Sequence, residues 1–168
     1  LKAHQNKVIK YAIPPKYIPI SFTKKGKSSG MVHEYISLIA KKLNLNLKLV
    51  DVSWKKAMNL GKLKKIDFFP CLSFTKERSQ FLSFTKNPYF TFSLVIVSQK
   101  NRSPIRGIKD LKNKRVAVDR DLVAYSRLKK YPHLNIQYVY KKTSPNVIKA
   151  VHLGEADACF ISSPVAGF

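Results

Sequence analysis

Residues 30–50 read GMVHEYISLIAKKLNLNLKLV, and a change of period inside them decides the fold class. Val32, Tyr35, Ile36, Ile39, Ala40 and Leu43 recur at helical spacing, which makes one apolar stripe on an amphipathic helix. Leu45, Leu47 and Leu49 then alternate with polar neighbours, as along a strand. A helix that runs directly into a strand is half of an α/β unit. The other half lies upstream: Val8 to Ile13 is a short apolar strand, closed by Pro14-Pro15. Between the two, Tyr17 to Phe22 (YIPISF) reads as irregular because of Pro19, and Lys24 to Gly30 as a polar, turn-rich loop. Downstream, Ser53 is placed to cap a second helix from Trp54 to Leu63. Ile66 to Cys71 (IDFFPC) reads as a buried strand whose length Pro70 limits.

The second half repeats this rhythm. Leu94–Val97 and Arg115–Val118 read as strands, Leu122–Lys130 as a helix and Ile136–Tyr140 as a strand. Ser144 followed by Pro145 predicts an N-cap with proline at the first helical position. Val147, Ile148 and Val151 supply the apolar face, Gly154 stops the helix, and Ala158–Ile161 is the last strand. Strands alternating with helices on both sides of residue 93 predict an α/β architecture with mostly parallel sheets. Two lobes, residues 1–92 and 93–168, fit this pattern better than one continuous sheet.

The chain has 168 residues and is 45% hydrophobic, enough for one good core or two small lobes. No apolar run approaches the ~20 residues of a membrane span. The opening LKAHQNK is not followed by the apolar region of a signal peptide. The sequence is therefore either that of a cytosolic protein or a mature or excised piece of a longer one. The net charge is +23, but it is spread through doublets such as Lys24-Lys25, Lys41-Lys42, Lys64-Lys65 and Lys141-Lys142. Dispersed lysines describe solvated faces rather than one anion-binding stripe, and no DNA- or RNA-binding motif accompanies them, so no nucleic-acid partner is expected. Cys71 and Cys159 have no second cysteine or histidine at metal-ligand spacing. They read as two small buried hydrophobes. His33, His133 and His152 also lack a metal partner at useful spacing, and no metal or cofactor is expected.

The stretch SFTKERSQFLSFTKNPY, residues 73–89, contains SFTK twice. The first copy follows the IDFFPC segment and the second precedes a Pro-Tyr turn, so the echo reads as coincidence in a chain rich in Ser, Thr and Lys. Arg78 stands among hydroxyls and aromatics. Two readings are open for it: a fork for a ligand carboxylate, or a surface ion pair with Glu77 or Asp67.

Taken in order, YIPISF, the residue 30–50 segment, SW, IDFFPCLSFTKERSQFLSFTKNPY, LVIV, IKDLKNKRVAV and VIKAVHLGEADACFISSPVAGF cover essentially the whole chain. This series resembles the family 3 extracellular solute-binding proteins, which have the type II periplasmic-binding or Venus flytrap fold. The SW spacing, T-x-E-R followed by F-T-x-x-P-Y, and A-V-x-x-G-E-A-D-A are most similar to the periplasmic sensor domains of BvgS-like histidine kinases and related diguanylate-cyclase receptors. Each motif is weak alone; their order makes the signal.

The resemblance implies an extracytoplasmic, non-enzymatic domain that closes two lobes on a small polar ligand, an amino acid or related small acid. In a sensor, segments outside this chain would tether it to the membrane; the alternative is a free binding protein feeding an ABC importer. Family members complete the first lobe with a returning strand and helices. This sequence ends at Phe168, so a C-terminally truncated fold is expected, with apolar first-lobe surface open to self-association.

For the site, the resemblance implies that Arg78 grips a carboxylate, supported by Ser73 and Thr75. Tyr17, Phe22 and Trp54 would line the first lobe, or belong simply to its core. The second lobe departs from the family. Asp119, Arg120, Asp121 and Leu122 replace a Gly-Ser/Thr stretch, and Ser162 replaces the aspartate that usually meets an α-ammonium group. Asp119 or Asp121 then takes over an acidic role towards the ligand, or both are turn and N-cap residues. A remote alternative is a dehydratase on the same fold, which needs a buried acid as proton donor. Glu34, Glu77 and Glu155 are the only glutamates, and none stands where a buried acid is expected.

Overall fold

Two parallel pairings organise the first half of the chain. In the computed structural model, which describes residues 7–100 and 104–167, β1 (Val8–Tyr11) lies parallel to β5 (Asn46–Leu49), with Val8 opposite Asn46 and Tyr11 opposite Leu49. The crossover between them is α1 (Met31–Leu43), which buries Val32 and Ile36. Gly30 starts this helix at φ 96°, and a Cβ there would stand 2.6 Å from the Pro19 carbonyl oxygen. Only glycine tolerates both conditions. The first amides of α1, Met31 and Val32, donate to the Pro19 and Ile20 carbonyls, which satisfies helix ends that no side chain caps. Asn44, in the left-handed region at φ 50°, ends the helix, as such caps commonly do.

Ser53 caps α2 (Trp54–Lys62) by accepting from the Lys56 N–H at 3.4 Å. Ala12, Ala57 and Ile66 form the buried centre of this unit, with Val50, Val52, Trp54, Leu60 and Phe69 packed around them. On the other side, Ile9, Ile36, Ile39, Ala40, Leu45, Leu47 and Phe68 line an apolar cavity of about 250 Å³.

Two expectations for this half are corrected. The segment read as irregular chain and loop is a small antiparallel sheet, β2 (Lys16–Tyr17), β3 (Ser21–Lys24) and β4 (Lys27–Ser29). Lys24 pairs with Lys27 across a two-residue turn, with Lys25 at φ 50° and Gly26 at φ 74°. Two left-handed residues match the twist of a hairpin, but lysine in the first of those places hides the signal. The segment Ile66–Cys71 is buried at Ile66 yet makes only one parallel bridge, Tyr11 to Phe68. Asp67 and Phe68 donate their amides to the Lys10 carbonyl, and the Asp67 carboxylate takes the Lys10 N–H at 2.7 Å. Pro70, without an N–H, cannot extend the ladder.

The second half forms a four-stranded sheet in the order β6-β9-β7-β8, made of β6 (Leu94–Ser98), β7 (Arg115–Val118), β8 (Gln137–Tyr140) and β9 (Ala158–Ser162). β7 runs parallel to both neighbours, and β6 is antiparallel to β9. Leu111, Val116, Val118, Leu128 and Ala158 are wholly buried against this sheet. Asp157 holds the start of β7: its carboxylate accepts the Arg115 N–H at 2.9 Å and pairs with the Arg115 guanidinium at 2.7 Å.

The helices here are α3 (Val123–Leu128), α4 (Ser144–His152) and α5 (Ser163–Ala166). The cap of α4 is Thr143, whose hydroxyl accepts from the Asn146 N–H, and not Ser144. Pro145 therefore sits one position deeper than expected, where its missing N–H still costs nothing. Gly154, at φ 74°, follows the end of α4. The chain divides into two compact units, Leu1–Pro88 and Tyr89–Phe168.

Candidate functional site

Open parallel sheets present ligand-binding loops at the carboxyl ends of their strands. In the first unit these ends lead into Pro14–Tyr17 after β1, Ser53–Trp54 after β5, and the loop from Phe69 onward after the bridge at Phe68. That last loop folds back on itself. The Thr75 hydroxyl accepts the Arg78 N–H at 3.2 Å, and the Thr75 carbonyl accepts the Ser79 N–H at 3.0 Å. A 3-10 turn, Arg78–Gln80, follows. The Arg78 guanidinium reaches back, and its Nη1 donates to the Ser73 carbonyl at 3.0 Å. Ser73, Thr75 and Arg78 are thus brought together by hydrogen bonds.

Arg78 is half-buried, and burial lowers its pKa while the neighbouring Glu77 carboxylate opposes the shift. Among the described residues it forms no ion pair, with Glu77 or with any other acid. The Asp67 carboxylate is engaged by the Lys10 amide instead. A partly desolvated guanidinium without a carboxylate carries a cost that an anionic partner would offset.

The two SFTK copies are not independent. Phe74 and Phe84, at equivalent places in them, pack edge to face with ring centroids 5.2 Å apart. That contact closes the loop that carries Arg78.

Trp54 stands at the start of α2, edge-on to Phe69 at 5.7 Å and packed on the Ala12–Ala57–Ile66 centre. It is half-buried, so part of it belongs to the core. Tyr17 is buried in β2, and Phe22 is half-buried in β3 opposite Lys16 and Ser29.

In the second unit the strand ends of β7, β8 and β9 fall along one edge, because Val118 pairs with Tyr140 and Ala117 with Cys159. Asp119 follows β7, Tyr140 ends β8 and Ser162 ends β9. The Asp119 carboxylate accepts the Asp121 N–H at 3.0 Å through one oxygen. Its other oxygen has no hydrogen bond among the described residues. Burial raises the Asp119 pKa, opposed by the bond from the Asp121 amide. Asp121 is exposed and is not an N-cap; Leu122 holds that position without a side-chain bond. Ser162 is buried and stands at the N-cap position of α5.

Arg120 and Tyr140, which sequence reading did not single out, meet at this edge. The Arg120 guanidinium carbon lies 3.5 Å from the centre of the Tyr140 ring. Tyr138 stacks beside Tyr140, and Tyr125 from α3 meets both edge-on. The Tyr125 hydroxyl lowers the Tyr140 pKa, helped by Arg120 and Lys129. The signal was present as Tyr138-x-Tyr140, two aromatics that a strand places on one face.

All three glutamates are exposed, and Glu155 pairs with Lys141. Among the described residues no three histidine, cysteine or acidic side chains gather as a metal site, and no helix is long and apolar enough to cross a membrane.

Comparison with known proteins places the chain in a family. The family model for bacterial extracellular solute-binding proteins, family 3, matches residues 9–157. A probable amino-acid-binding protein of Bacillus subtilis, YxeM, is 31% identical over 144 residues, covering 83% of this chain and 53% of its own length. A probable histidine-binding protein of Campylobacter jejuni is 29% identical over 118 residues, covering 70% of this chain and 46% of its own length. The chain thus spans about half the length of the curated relatives it matches. Among solved structures, a histidine kinase sensor domain with similarity to periplasmic binding proteins superposes with a TM-score of 0.88 at 20% identity, covering 97% of this chain and 71% of that one. At that identity the likeness concerns the fold alone.

Proposed function

We propose, from the premise that this chain belongs to the bacterial extracellular solute-binding proteins, family 3, that it is an extracytoplasmic ligand-sensing domain of a membrane receptor. In this reading the two units act as lobes. Strand-end loops would receive one small polar ligand that bears a carboxylate. Binding favours a closed state, and the receptor reads that population shift. No covalent chemistry is involved, and the exposure of all three glutamates supports a binding role over a catalytic one.

The observation that carries the reading is Arg78. It is half-buried, anchored by one nitrogen on the Ser73 carbonyl, and without an ion pair among the described residues. Its remaining donors form the planar fork that suits a carboxylate. Ser73 and Thr75 hydrogen-bond to it, and Trp54, half-buried on the same unit, would supply an aromatic wall.

A free binding protein of an amino-acid importer is the second reading, and the names of the two curated relatives favour it. Both readings share the ligand site. The gene beyond Phe168 separates them: a membrane span and a kinase or cyclase domain fits the sensor, and an early stop fits the importer.

Native mass spectrometry tests the shared claim. The purified protein, dialysed against a panel of L-amino acids and small dicarboxylates, should retain one ligand mass per chain. Retention of none at millimolar concentration would refute binding.

A further inference from the structure

Asp119, Arg120 and Asp121 alternate in charge along three residues, yet Arg120 pairs with neither acid among the described residues. Its guanidinium sits over Tyr140, with its carbon 3.5 Å from the ring centre. The platform is built from more than one ring: Tyr138 stacks at 6.0 Å from Tyr140, and Tyr125 braces it edge-on at 5.9 Å. Register fixes the geometry, since Tyr140 is the strand partner of Val118 and so stands beside the loop that begins at Asp119. The stack keeps a positive group occupied next to a half-buried carboxylate that has one oxygen to spare.

We infer that Tyr140 is a selectivity-setting positioning residue: by holding Arg120 on its ring it keeps the Asp119 carboxylate available for a cationic group of the ligand. The inference rests on the function proposed above and narrows it to ligands that carry a cationic group. Electrostatics gives the reason. Released from the ring, Arg120 would be free to pair with Asp119 or Asp121, its neighbours in sequence, and cancel their field. A guanidinium–aromatic contact is strong enough to decide between those two positions at a partly exposed site.

The test is a double-mutant cycle read by calorimetry with L-arginine, L-lysine and L-glutamine as probes. Wild type should prefer arginine or lysine to glutamine. Tyr140→Leu should lower that preference by about tenfold, and Tyr140→Phe, which keeps the ring, should retain it. Adding Arg120→Gln to Tyr140→Leu should restore the preference, because the competing cation is then gone. A merely structural role for Tyr140 would weaken all three probes equally and would not be rescued by the second substitution; that result overturns the inference. So does a wild type that binds glutamine as tightly as arginine and lysine, although ligand binding itself would then stand. Failure of wild type to bind any probe or any other amino acid contradicts the proposed function, and this inference falls with it.

Discussion

The Arg78 guanidinium and the Ser73 carbonyl, five residues apart, are joined by a 3.0 Å hydrogen bond from Nη1. The bond aims the arginine without neutralising it, because a carbonyl takes one donor and leaves the positive charge in place. It also assigns unequal roles to the neighbours. Ser73 orients Arg78 through its main chain, whereas Thr75 acts through its hydroxyl on the Arg78 amide.

Thr75→Val therefore loses a bond that Ser73→Ala keeps. Thermal denaturation should show Thr75→Val destabilised by about 0.5–1.5 kcal/mol relative to wild type, with Ser73→Ala nearer to wild type. Equal melting temperatures for Thr75→Val and wild type would remove the hydroxyl from the account.

The Phe74–Phe84 contact closes the same loop. Phe84→Ala should lose the ring pair, about 0.5–1.5 kcal/mol beyond the buried area, and expose the segment around Arg78 to proteases. Limited proteolysis by trypsin should cut after Lys76 or Arg78 faster in the variant. Unchanged cutting would mean that the two rings meet without holding anything.

Asp119 makes stability depend on pH. Burial raises its folded pKa, so the unfolded chain gives up this proton first as pH rises. The unfolded state then binds fewer protons, and stability falls from the ordinary aspartate pKa of about 4 upward, through the raised folded value. Asp119→Asn keeps an oxygen for the Asp121 N–H but removes the charge. Its melting temperature should exceed that of wild type at pH 7, and the gap should close as pH approaches about 4. A variant that is less stable at pH 7 would contradict this sign.

The thiols should be inert while the protein is folded. Burial pushes Cys71 up to about 11 and Cys159 up to about 12, so neither is a thiolate at ordinary pH. Iodoacetamide at pH 8 should label them slowly in the native state and promptly in denaturant. Prompt native labelling of Cys159, which is fully buried, would show that β9 opens readily.

What was legible in the sequence followed from period and punctuation. The stripe from Val32 to Leu43, the leucine alternation after it, the Ser53 cap and the Gly154 stop are each written in neighbouring residues, and each has its counterpart in the structure. The β3–β4 hairpin escaped because Lys25 occupies a left-handed position that usually advertises itself with Asn or Gly, and the β2–β3 pairing escaped because Pro19 lies in the connection between them. IDFFPC looked like a strand because its burial is real, but Pro70 and the Asp67 side chain end the ladder after one bridge. The clustering of Ser73, Thr75 and Arg78 within six residues could be read locally. Arg120 on Tyr140 could not: it depends on the register between β7 and β8, which joins residues twenty-two apart. The same holds for Phe74 on Phe84, where the repeated tetrapeptide was visible and its contact was not.

The central claim is that Arg78 grips a ligand carboxylate. Calorimetric titration of wild type, Arg78→Ala and Arg78→Lys with the amino acid that wild type retains tests it most directly. Removing a charge-assisted, partly desolvated contact should cost Arg78→Ala on the order of 2–5 kcal/mol, roughly 30-fold or more in affinity. Arg78→Lys should recover only part of it, because an ammonium lacks the planar fork. Ser83→Ala and Thr85→Ala, in the second SFTK, should change affinity much less. An Arg78→Ala protein that is folded and binds the ligand as tightly as wild type would contradict the account.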